Sequence, residues 1–284
     1  MAESHALTGS QLAQPRPLAG PRLLVLSSLF PSSVRPTAGV FIRERMFRVA
    51  AQIPLIVVSP QPWFPGQSLI RWWRPGYRPH TPRHEQQQGV EVYFPRFLAL
   101  PGMLRRLDGW SMALGCYFLA RRLARRYRIS LIDAHFAYPD GEAGVHLGRW
   151  LGLPVTLTLR GTEVPHSRHP QLRPRLIYAL TAATRVFAVS DSLRQLALSL
   201  GAPLHKTEVV GNGVDLLRFR LTGSHGDGFS GQELSKSAHQ LRHALVPLIV
   251  AGIVQNGLAI PVFSQGSHQR VLQRGGVVKG HHGA

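Results

Sequence analysis

Two residues at the ends of strand-like runs are suited to phosphate and sugar chemistry. Gly39 lies between the apolar run 22–29 and a helical pattern that begins near residue 40. A glycine at such a turn lets backbone N–H groups approach a phosphate, although it can equally serve only to complete the turn. His135 ends the strand-like run 130–134, and its imidazole can polarise a sugar hydroxyl. The alternative is a structural histidine whose nitrogens are satisfied within the protein.

A third polar segment, Arg160 to Glu163, follows the strand-like run 154–159. Arginine offers a planar fork for an anion, Gly161 and Thr162 provide a turn, and Glu163 adds a carboxylate. The same segment can instead form an internal Arg–Glu pair, and the sequence leaves both interpretations open. Ser190 follows a fourth strand-like run, 185–189, and is predicted to cap the helix that reaches residue 200.

Other candidate patterns do not predict a site. Residues 226–231 contain three spaced glycines, but no strand precedes them and no periodic helix follows, so a dinucleotide-binding loop is rejected. Six of the 14 histidines lie after residue 220, His281 and His282 among them. They have no carboxylate or cysteine partner at ligand spacing, so no metal site is predicted. The single Cys116 excludes a disulfide scaffold and a cysteine-based zinc module.

The elements that must position these residues alternate between strands and helices. Seven short apolar runs predict buried strands, at residues 22–29, 54–59, 90–94, 130–134, 154–159, 185–189 and 208–210. Helices are predicted between most of them, including 103–127, 142–151 and 173–183, whereas the proline-rich residues 61–88 predict a long loop. This alternation predicts an α/β fold with a doubly wound, Rossmann-like parallel sheet. Ligands bind such a sheet at the carboxyl ends of its strands.

The helix after the first strand has an apolar stripe that is predicted to face the core. Ile42, Met46 and Val49 recur at helical spacing. The charged residues between them are predicted to point outward: Arg43, Glu44, Arg45 and Arg48.

The composition is strongly basic. The chain has 284 residues, 33 of them Lys or Arg against 14 Asp or Glu, a formal net charge of +19. Hydrophobic residues make up 44%, which excludes a disordered or collagen-like chain. The positive charge suits nucleic acid, an anionic membrane or an anionic substrate.

The helix predicted at 103–127 concentrates part of this charge. Its arginines flank several aromatic and aliphatic residues, namely Trp110, Met112, Leu114, Tyr117, Phe118 and Leu123. We predict a core-packed helix whose arginines form the solvated face. Peripheral contact with an anionic membrane is the second interpretation. Nucleic acid is the third, because no nucleic-acid-reading module is visible.

The chain is predicted to have three parts: a flexible segment at 1–20, a folded domain at 21–220 and an atypical tail at 221–284. The first twenty residues lack the pattern of a signal peptide. Residues 244–263 are apolar but interrupted by Pro247 and Pro261, which predicts short buried strands rather than a membrane span. The alternation of strands and helices ends near Arg220. We therefore hypothesise a truncated protein with an out-of-frame tail.

The order of these motifs resembles the N-terminal domain of family-4 (group 1) retaining glycosyltransferases, which contain two Rossmann-like domains. The resemblance covers roughly residues 21–220. It is carried by five segments in order: LVLSSLFP with RPTAGVF (24–31 and 35–41), IDAHFAYPDG (132–141), TLRGTE (158–163), AVS (188–190) and GNGVD with RF (211–215 and 218–219). Two positions depart from the family pattern, Gly211 where proline is usual and Glu163 where aspartate is common.

The resemblance implies transfer of a sugar from a nucleotide-sugar to a glycan or lipid-linked acceptor, in the cytoplasm or at the inner face of its membrane. It implies that Gly39 lies against the donor diphosphate, and that His135 approaches the sugar or acceptor as the catalytic residue. Arg160, Gly161, Thr162, Glu163 and Ser190 are the other predicted substrate-binding residues. Asn212, Gly213 and Asp215 mark the hinge to a donor-binding domain.

That second domain is where the resemblance stops. The family's donor-binding domain carries a pair of glutamates eight positions apart, and no two glutamates of this chain have that spacing. The residues after 220 are also too few for a second domain of ordinary size. We therefore expect no metal or other cofactor and little or no transfer by this chain alone. A non-catalytic binding or scaffold protein at an anionic membrane is the alternative.

Overall fold

The computed structural model describes residues 20–74, 77–78, 80–100 and 104–213. In chain order, these form β1 (Arg22–Leu26), α1 (Val40–Ala50), β2 (Leu55–Val58), β3 (Gln61–Trp63), α2 (Gln67–Trp73), β4 (His84–Gln87), β5 (Val90–Tyr93), β6 (Arg96–Leu98), α3 (Asp108–Tyr127), β7 (Ile129–His135), α4 (Glu142–Leu151), β8 (Val155–Leu159), α5 (Glu163–Arg168), α6 (Arg173–Ala182), β9 (Arg185–Ala188), α7 (Asp191–Ser199) and β10 (Thr207–Val209).

Eight of the strands form one sheet in the order β10-β9-β8-β7-β1-β2-β5-β4. Every neighbouring pair is parallel except β4 with β5, which is antiparallel. At the centre, Leu24 is in register with Ile132 of β7 and with Ile56 of β2. The predicted α/β fold with a doubly wound, Rossmann-like parallel sheet is confirmed.

Alternate residues of the central strands enter cores on opposite faces of the sheet. Leu24 and Leu26 join the core beneath α3, α4 and α6. Leu23 and Val25 join the other core, where α1 contributes Ile42 and Met46. Because both faces are covered, β1 is apolar at nearly every position instead of alternating with polar residues.

The prediction of a long loop at 61–88 is wrong. This region contains β3, α2 and β4. β3 includes Pro62 and pairs only with β6, in a separate two-stranded sheet. β4 has the polar sequence HEQQ because it forms the edge of the main sheet. Neither strand has the apolar signature of a central strand, which explains why the sequence pattern did not show them.

Helix α3 departs from its prediction in two respects. It begins at Asp108 rather than residue 103, and its aromatic side chains divide between the core and the surface. Met112 and Leu123 are buried as predicted, whereas Trp110, Leu114 and Phe118 are 49%, 45% and 79% exposed. The expectation that only the arginines form the solvated face is therefore wrong. No helix in the described part of the chain has the length and apolarity needed to cross a membrane.

The tail motifs cannot be compared with the structure. The glycine pattern at 226–231, the apolar stretch 244–263 and the six tail histidines lie outside the described residues.

Candidate functional site

The residues predicted to bind ligands follow strands that end at the same edge of the sheet. β1, β7, β8 and β9 are adjacent and parallel, so their carboxyl ends meet there. The polar segments that begin after these ends include Ser28, His135, Arg160 and Ser190. In doubly wound sheets this edge is where ligands bind.

His135 is completely buried at the end of β7. Its Nδ1 accepts a hydrogen bond of 3.0 Å from Nε of Arg160. This leaves the ring proton on Nε2, which lies 3.4 Å from Oδ2 of Asp133. Nδ1 is satisfied within the protein, whereas the buried Nε2 approaches Asp133 without a hydrogen-bond partner in the described residues. The structural alternative is therefore met at one nitrogen, and the catalytic role of His135 stays a prediction.

Arg160 is the centre of the cluster. Besides its bond to His135, Nη1 donates to Oδ1 of Asn212 over 2.9 Å, and the guanidinium lies 5.2 Å from the ring centre of Phe41 at the start of α1. Its Nη2 is buried without a hydrogen-bond partner in the described residues. The structure therefore brings the end of β8, the first helix and the predicted hinge into contact.

Arg45 is a functional candidate that the sequence reasoning missed. It was predicted to point outward from α1, but it is only 3% exposed. Its Nη1 approaches the backbone oxygen of Val210 at 3.4 Å and Oδ1 of Asn212 at 3.5 Å. The signal was present in the spacing, because residue 45 falls three positions after Ile42 and so lies on the buried stripe.

Two arginines thus converge on the side chain of Asn212. Burial lowers the pKa of Arg160 to about 9, with a further contribution from the charge of Arg45. Burial also lowers the pKa of Arg45 to about 10, while Asp133 opposes the shift. Both remain cationic at neutral pH.

The histidine and the aspartate beside the two arginines differ in charge. Burial lowers the pKa of His135 to about 4, and Arg160 adds to this, so the ring is neutral at pH 7. Burial alone would raise the pKa of Asp133, but His135, the hydroxyl of Thr156 and the charge of Arg45 lower it on balance. Asp133 thus stays ionised beside the two arginines, and the carboxylate of Glu163 also acts electrostatically on Arg160.

Glu163 supports the loop rather than pairing with the Arg160 side chain. Its Oε1 accepts from the backbone N–H of Ala137 at 2.9 Å. Its Oε2 accepts from the N–H groups of Gly161 at 2.7 Å and Arg160 at 3.2 Å. The carboxylate thus fixes the segment after β7 against the one after β8. The internal Arg–Glu pair, one of the two interpretations left open for this segment, is not found between the side chains in the described residues; Glu163 contacts the backbone of Arg160 instead.

Gly39 occupies a position that only glycine fits. Its φ of +67° is left-handed, and an added Cβ would lie 2.3 Å from the backbone oxygen of Leu29. The residue thus lets the loop after β1 fold tightly before α1. This accounts for the glycine through the turn alone, and its contact with a diphosphate stays a prediction.

The remaining predicted residues have separate environments. Ser190 is the N-cap of α7, as predicted, because its Oγ accepts from the N–H of Leu193. Thr162 is exposed at the start of α5, and Gly161 and Gly213 have positive φ. Asp215 lies outside the described residues. The substrate-binding and hinge roles of these residues stay predictions.

A second buried carboxyl group lies at the same edge. Asp140 accepts hydrogen bonds from the backbone N–H and the hydroxyl of Ser28, the latter at 2.9 Å. Burial raises its pKa to about 7, against the effect of these hydrogen bonds. The pair fixes the loop after β1 to the segment after β7. No three His, Cys, Asp or Glu side chains in the described ranges are placed to hold a metal ion.

Together these groups place two arginines at the carboxyl edge of a Rossmann-like sheet, where ligands of such sheets bind. The class is therefore an α/β domain with a doubly wound, Rossmann-like sheet. The sequence model of Glycosyltransferase Family 4 matches residues 70–218, and the chain belongs to this family.

Comparison with individual proteins gives further similarities. The chain is 28% identical over 208 residues to the putative teichuronic acid biosynthesis glycosyltransferase TuaC of Bacillus subtilis. The alignment covers 70% of this chain and 51% of TuaC, so the chain spans about half the length of that relative.

Two solved structures illustrate the structural similarities. Anabaena HepE in complex with UDP-glucose is 15% identical, with a TM-score of 0.42 over 78% of this chain and 50% of HepE. The UDP-GlcNAc 2-epimerase of Methanocaldococcus jannaschii is 10% identical, with a TM-score of 0.41 over 67% of this chain and 45% of the epimerase.

Proposed function

We propose that this protein takes part in transferring a sugar from a nucleotide-sugar to a glycan or lipid-linked acceptor. Membership of Glycosyltransferase Family 4 supports glycosyl transfer in general. The similarity to TuaC supports a role in polysaccharide biosynthesis. In this proposal, the described domain forms the acceptor-side wall of the reaction site.

The observation that carries the proposal is the convergence of Arg160 and Arg45 on Asn212. Sugar transfer from a nucleotide-sugar releases a diphosphate, whose negative charge grows as the glycosidic bond breaks. Fixed cations next to that charge stabilise the transition state without reorganising. Their placement by buried partners also keeps the reacting groups aligned.

Each residue of the cluster then has a proposed role. Arg160 faces the diphosphate, with the backbone near Gly39 on its other side. Neutral His135 accepts from Nε of Arg160 and so sets the orientation of the guanidinium. Asn212, bonded to Arg160, transmits movement of the hinge to the site.

A transfer assay with the full chain tests this function. Radiolabelled UDP-glucose, UDP-GlcNAc and GDP-mannose are each incubated with the protein and a bacterial lipid extract, and label in the lipid and polysaccharide fractions is counted. Since little transfer is expected of this chain alone, we expect at most slow movement of label from one of the donors, and a fall of about tenfold or more in R160M, because one charge-assisted contact is lost. Equal labelling by R160M and the unaltered chain would contradict the role of Arg160.

Peripheral membrane contact is the second proposed property, and exposed aromatic side chains on α2 and α3 favour it. Trp72 and Trp73 are 78% and 77% exposed on α2, and Phe118 is 79% exposed on α3. Arginines border both helices, including Arg71 and Arg125. Tryptophan prefers the membrane interface, and arginines near the surface attract anionic lipids by about 1 kcal/mol each.

Liposome flotation tests the membrane contact. We expect the protein to float with vesicles containing phosphatidylglycerol, and much less with phosphatidylcholine alone. The variant W72S/F118S should lose flotation, whereas the exposed-site control V209S should not. If the double variant floats as well as the unaltered protein does, Trp72 and Phe118 do not make the membrane contact. The assignment to the cytoplasm, at the inner face of the membrane, stays a prediction.

A further inference from the structure

We propose that a cleft between α2, the two-stranded β3–β6 sheet and the loop after β1 binds an anionic sugar unit of the acceptor, one carrying a carboxylate or a phosphate. This inference rests on the proposed function, because it names the class of acceptor. The cleft is shallow: its enclosed part is only about 30 Å³, and the space reaches about 400 Å³ only when the open mouth is counted, so a sugar unit would lie in the mouth.

Five cationic or titratable side chains from separate segments line this cleft. They are Arg35 after β1, Arg71 on α2, Arg78 and His80 in the connection after α2, and Arg96 on β6. No aspartate or glutamate is among the described lining residues. A convergence of guanidinium groups without a carboxylate leaves positive charge that an anion can neutralise.

The contacts of Arg78 and Arg96 compensate the charge of the cleft only in part. Arg78 donates to the backbone oxygen of Pro62 over 3.5 Å and lies over the rings of Phe64 and Tyr77. It also interacts electrostatically with Asp108, which does not line the cleft. Arg96 contacts the ring of His80. None of these partners supplies a carboxylate inside the cleft.

Gln67 provides an independent indication of a ligand. It lines the same cleft and is only 6% exposed, yet its Oε1 has no hydrogen-bond partner in the described residues. A buried amide oxygen without a partner loses the free energy of a hydrogen bond. A sugar hydroxyl is a donor that can satisfy it.

Trp63 adds the surface that a sugar ring needs. It ends β3, lines the cleft and is 37% exposed. The face of an indole packs against the apolar C–H face of a pyranose, while polar groups around it bind the hydroxyls. Arginines, an unpartnered amide and an exposed tryptophan together favour an anionic sugar over a simple inorganic anion.

The position of the cleft agrees with an acceptor site. β3 follows the carboxyl end of β2, and β6 follows that of β5. Arg35 belongs to the loop after β1, which leads to Gly39 and α1. The cleft therefore opens on the same edge of the sheet as Arg160, where the donor is proposed to bind.

Saturation-transfer NMR on the full chain tests the proposal with four probes: methyl β-D-glucuronide, glucose 6-phosphate, methyl β-D-glucoside and, as a competitor, inorganic phosphate. We expect at least one of the two anionic sugars to bind about tenfold more tightly than the neutral glucoside, the effect of one charge-assisted hydrogen bond. The two anionic probes distinguish a carboxylate-bearing from a phosphate-bearing sugar. Inorganic phosphate should compete only weakly, because it lacks the ring.

Matched variants locate the binding. R71Q and Q67L should each weaken binding of the anionic sugar about fivefold or more. R125Q, which changes an exposed residue of α3, should leave that binding unchanged. Circular dichroism confirms that each variant is folded. Equal binding of charged and neutral sugars would overturn the proposal. Equal losses of affinity in R71Q and R125Q would also overturn it. So would inorganic phosphate that competes as strongly as glucose 6-phosphate does.

A parallel titration with UDP-glucose, UDP-GlcNAc and GDP-mannose separates this proposal from the proposed function. If a nucleotide-sugar binds but neither anionic sugar does, only the anionic-acceptor proposal fails. If an anionic sugar binds in the cleft while no nucleotide-sugar binds, the proposed function fails and the cleft remains a saccharide site.

Discussion

Arg160 links three parts of the candidate site through its side chain: His135 on β7, Phe41 on α1 and Asn212 after β10. A lysine has one charged nitrogen and lacks the planar fork that makes these contacts together. The consequences of removing this side chain can be measured at its neighbours.

We expect R160M to raise the pKa of His135 from about 4 toward the ordinary value near 6.5. The change removes a neighbouring positive charge and the N–H that donates to Nδ1, both of which favour the neutral ring. Histidine NMR titration measures the shift, and R125Q is the control. If the pKa of His135 is unchanged in a folded R160M protein, the contact between Arg160 and His135 is contradicted.

The same pKa sets part of the acid sensitivity of the fold. An unfolded histidine takes a proton near pH 6.5, whereas folded His135 does so near pH 4. Its contribution to stability is therefore present above pH 6.5 and is lost as the pH falls toward 4. Because R160M is expected to raise the folded pKa of His135, it should narrow the pH range between 6.5 and 4 over which this stability is lost.

Asp140 has the opposite effect. Its folded pKa of about 7 lies above the ordinary 3.8, so the folded state holds the proton more tightly. Stability from this group is present below pH 4 and is lost as the pH rises toward 7. D140N cannot ionise, so we expect its free energy of unfolding to rise relative to the unaltered protein between pH 4 and 7, by at most about 1.4 kcal/mol per pH unit.

Urea unfolding at several pH values measures this difference. D191N is a suitable control, because the side chain of Asp191 is 70% exposed. A difference between D140N and the unaltered protein that does not change with pH would show that Asp140 is ionised throughout.

At the residue scale, the sequence predicted which segments meet but not how their side chains pair. The strand-end placement of His135 and Arg160 follows from the alternation of strands and helices. Their mutual hydrogen bond depends on the register between β7 and β8, which apolar periodicity does not specify. Arg45 was missed because a charged residue is expected to be exposed unless its partners are known.

Among the elements, α1 offers the sharpest test of backbone constraint. Gly39 and Gly152 both have φ of +67°, but an added Cβ meets the oxygen of Leu29 at position 39 and nothing within 4 Å at position 152. We expect G152A to cost about 1–2 kcal/mol, from left-handed strain alone. G39A should cost about 1–3 kcal/mol more, because the loop must also move.

Chemical denaturation of both variants gives the comparison. Equal losses of stability would show that the loop after β1 is not packed against Gly39 as described. A much larger loss of stability in G39A than in G152A would show that the tight turn alone requires glycine at position 39. The proposed contact with a diphosphate would then still need a binding measurement.

The strands that the sequence did not predict are those whose environment is not a two-sided core. β4 is a polar edge strand, and β3 and β6 pair with each other outside the main sheet. Pairing stabilises β4 and β3 more than their own apolar residues do. Six of the seven predicted runs lie inside the main sheet, between neighbouring strands, and the seventh forms its other edge as β10.

On the scale of the whole molecule, the structure shows where several of the arginines behind the net charge of +19 lie. Buried Arg45 and partly buried Arg160 lie at the carboxyl edge beside Asn212, and other arginines line the cleft near Trp63 or lie on α2 and α3. The proposed sugar transfer assigns the first two locations to anionic parts of its substrates, and the proposed membrane contact assigns the third to anionic lipids.

The proposed function depends most directly on whether the carboxyl edge around Arg160 binds the diphosphate of a nucleotide-sugar. Saturation-transfer NMR with UDP-glucose, UDP-GlcNAc and GDP-mannose on the full chain tests it without requiring turnover. We predict that at least one nucleotide-sugar binds, that R160M weakens its binding about tenfold, and that R125Q leaves it unchanged. Absence of binding by all three donors, or equal binding by folded R160M, would contradict the account.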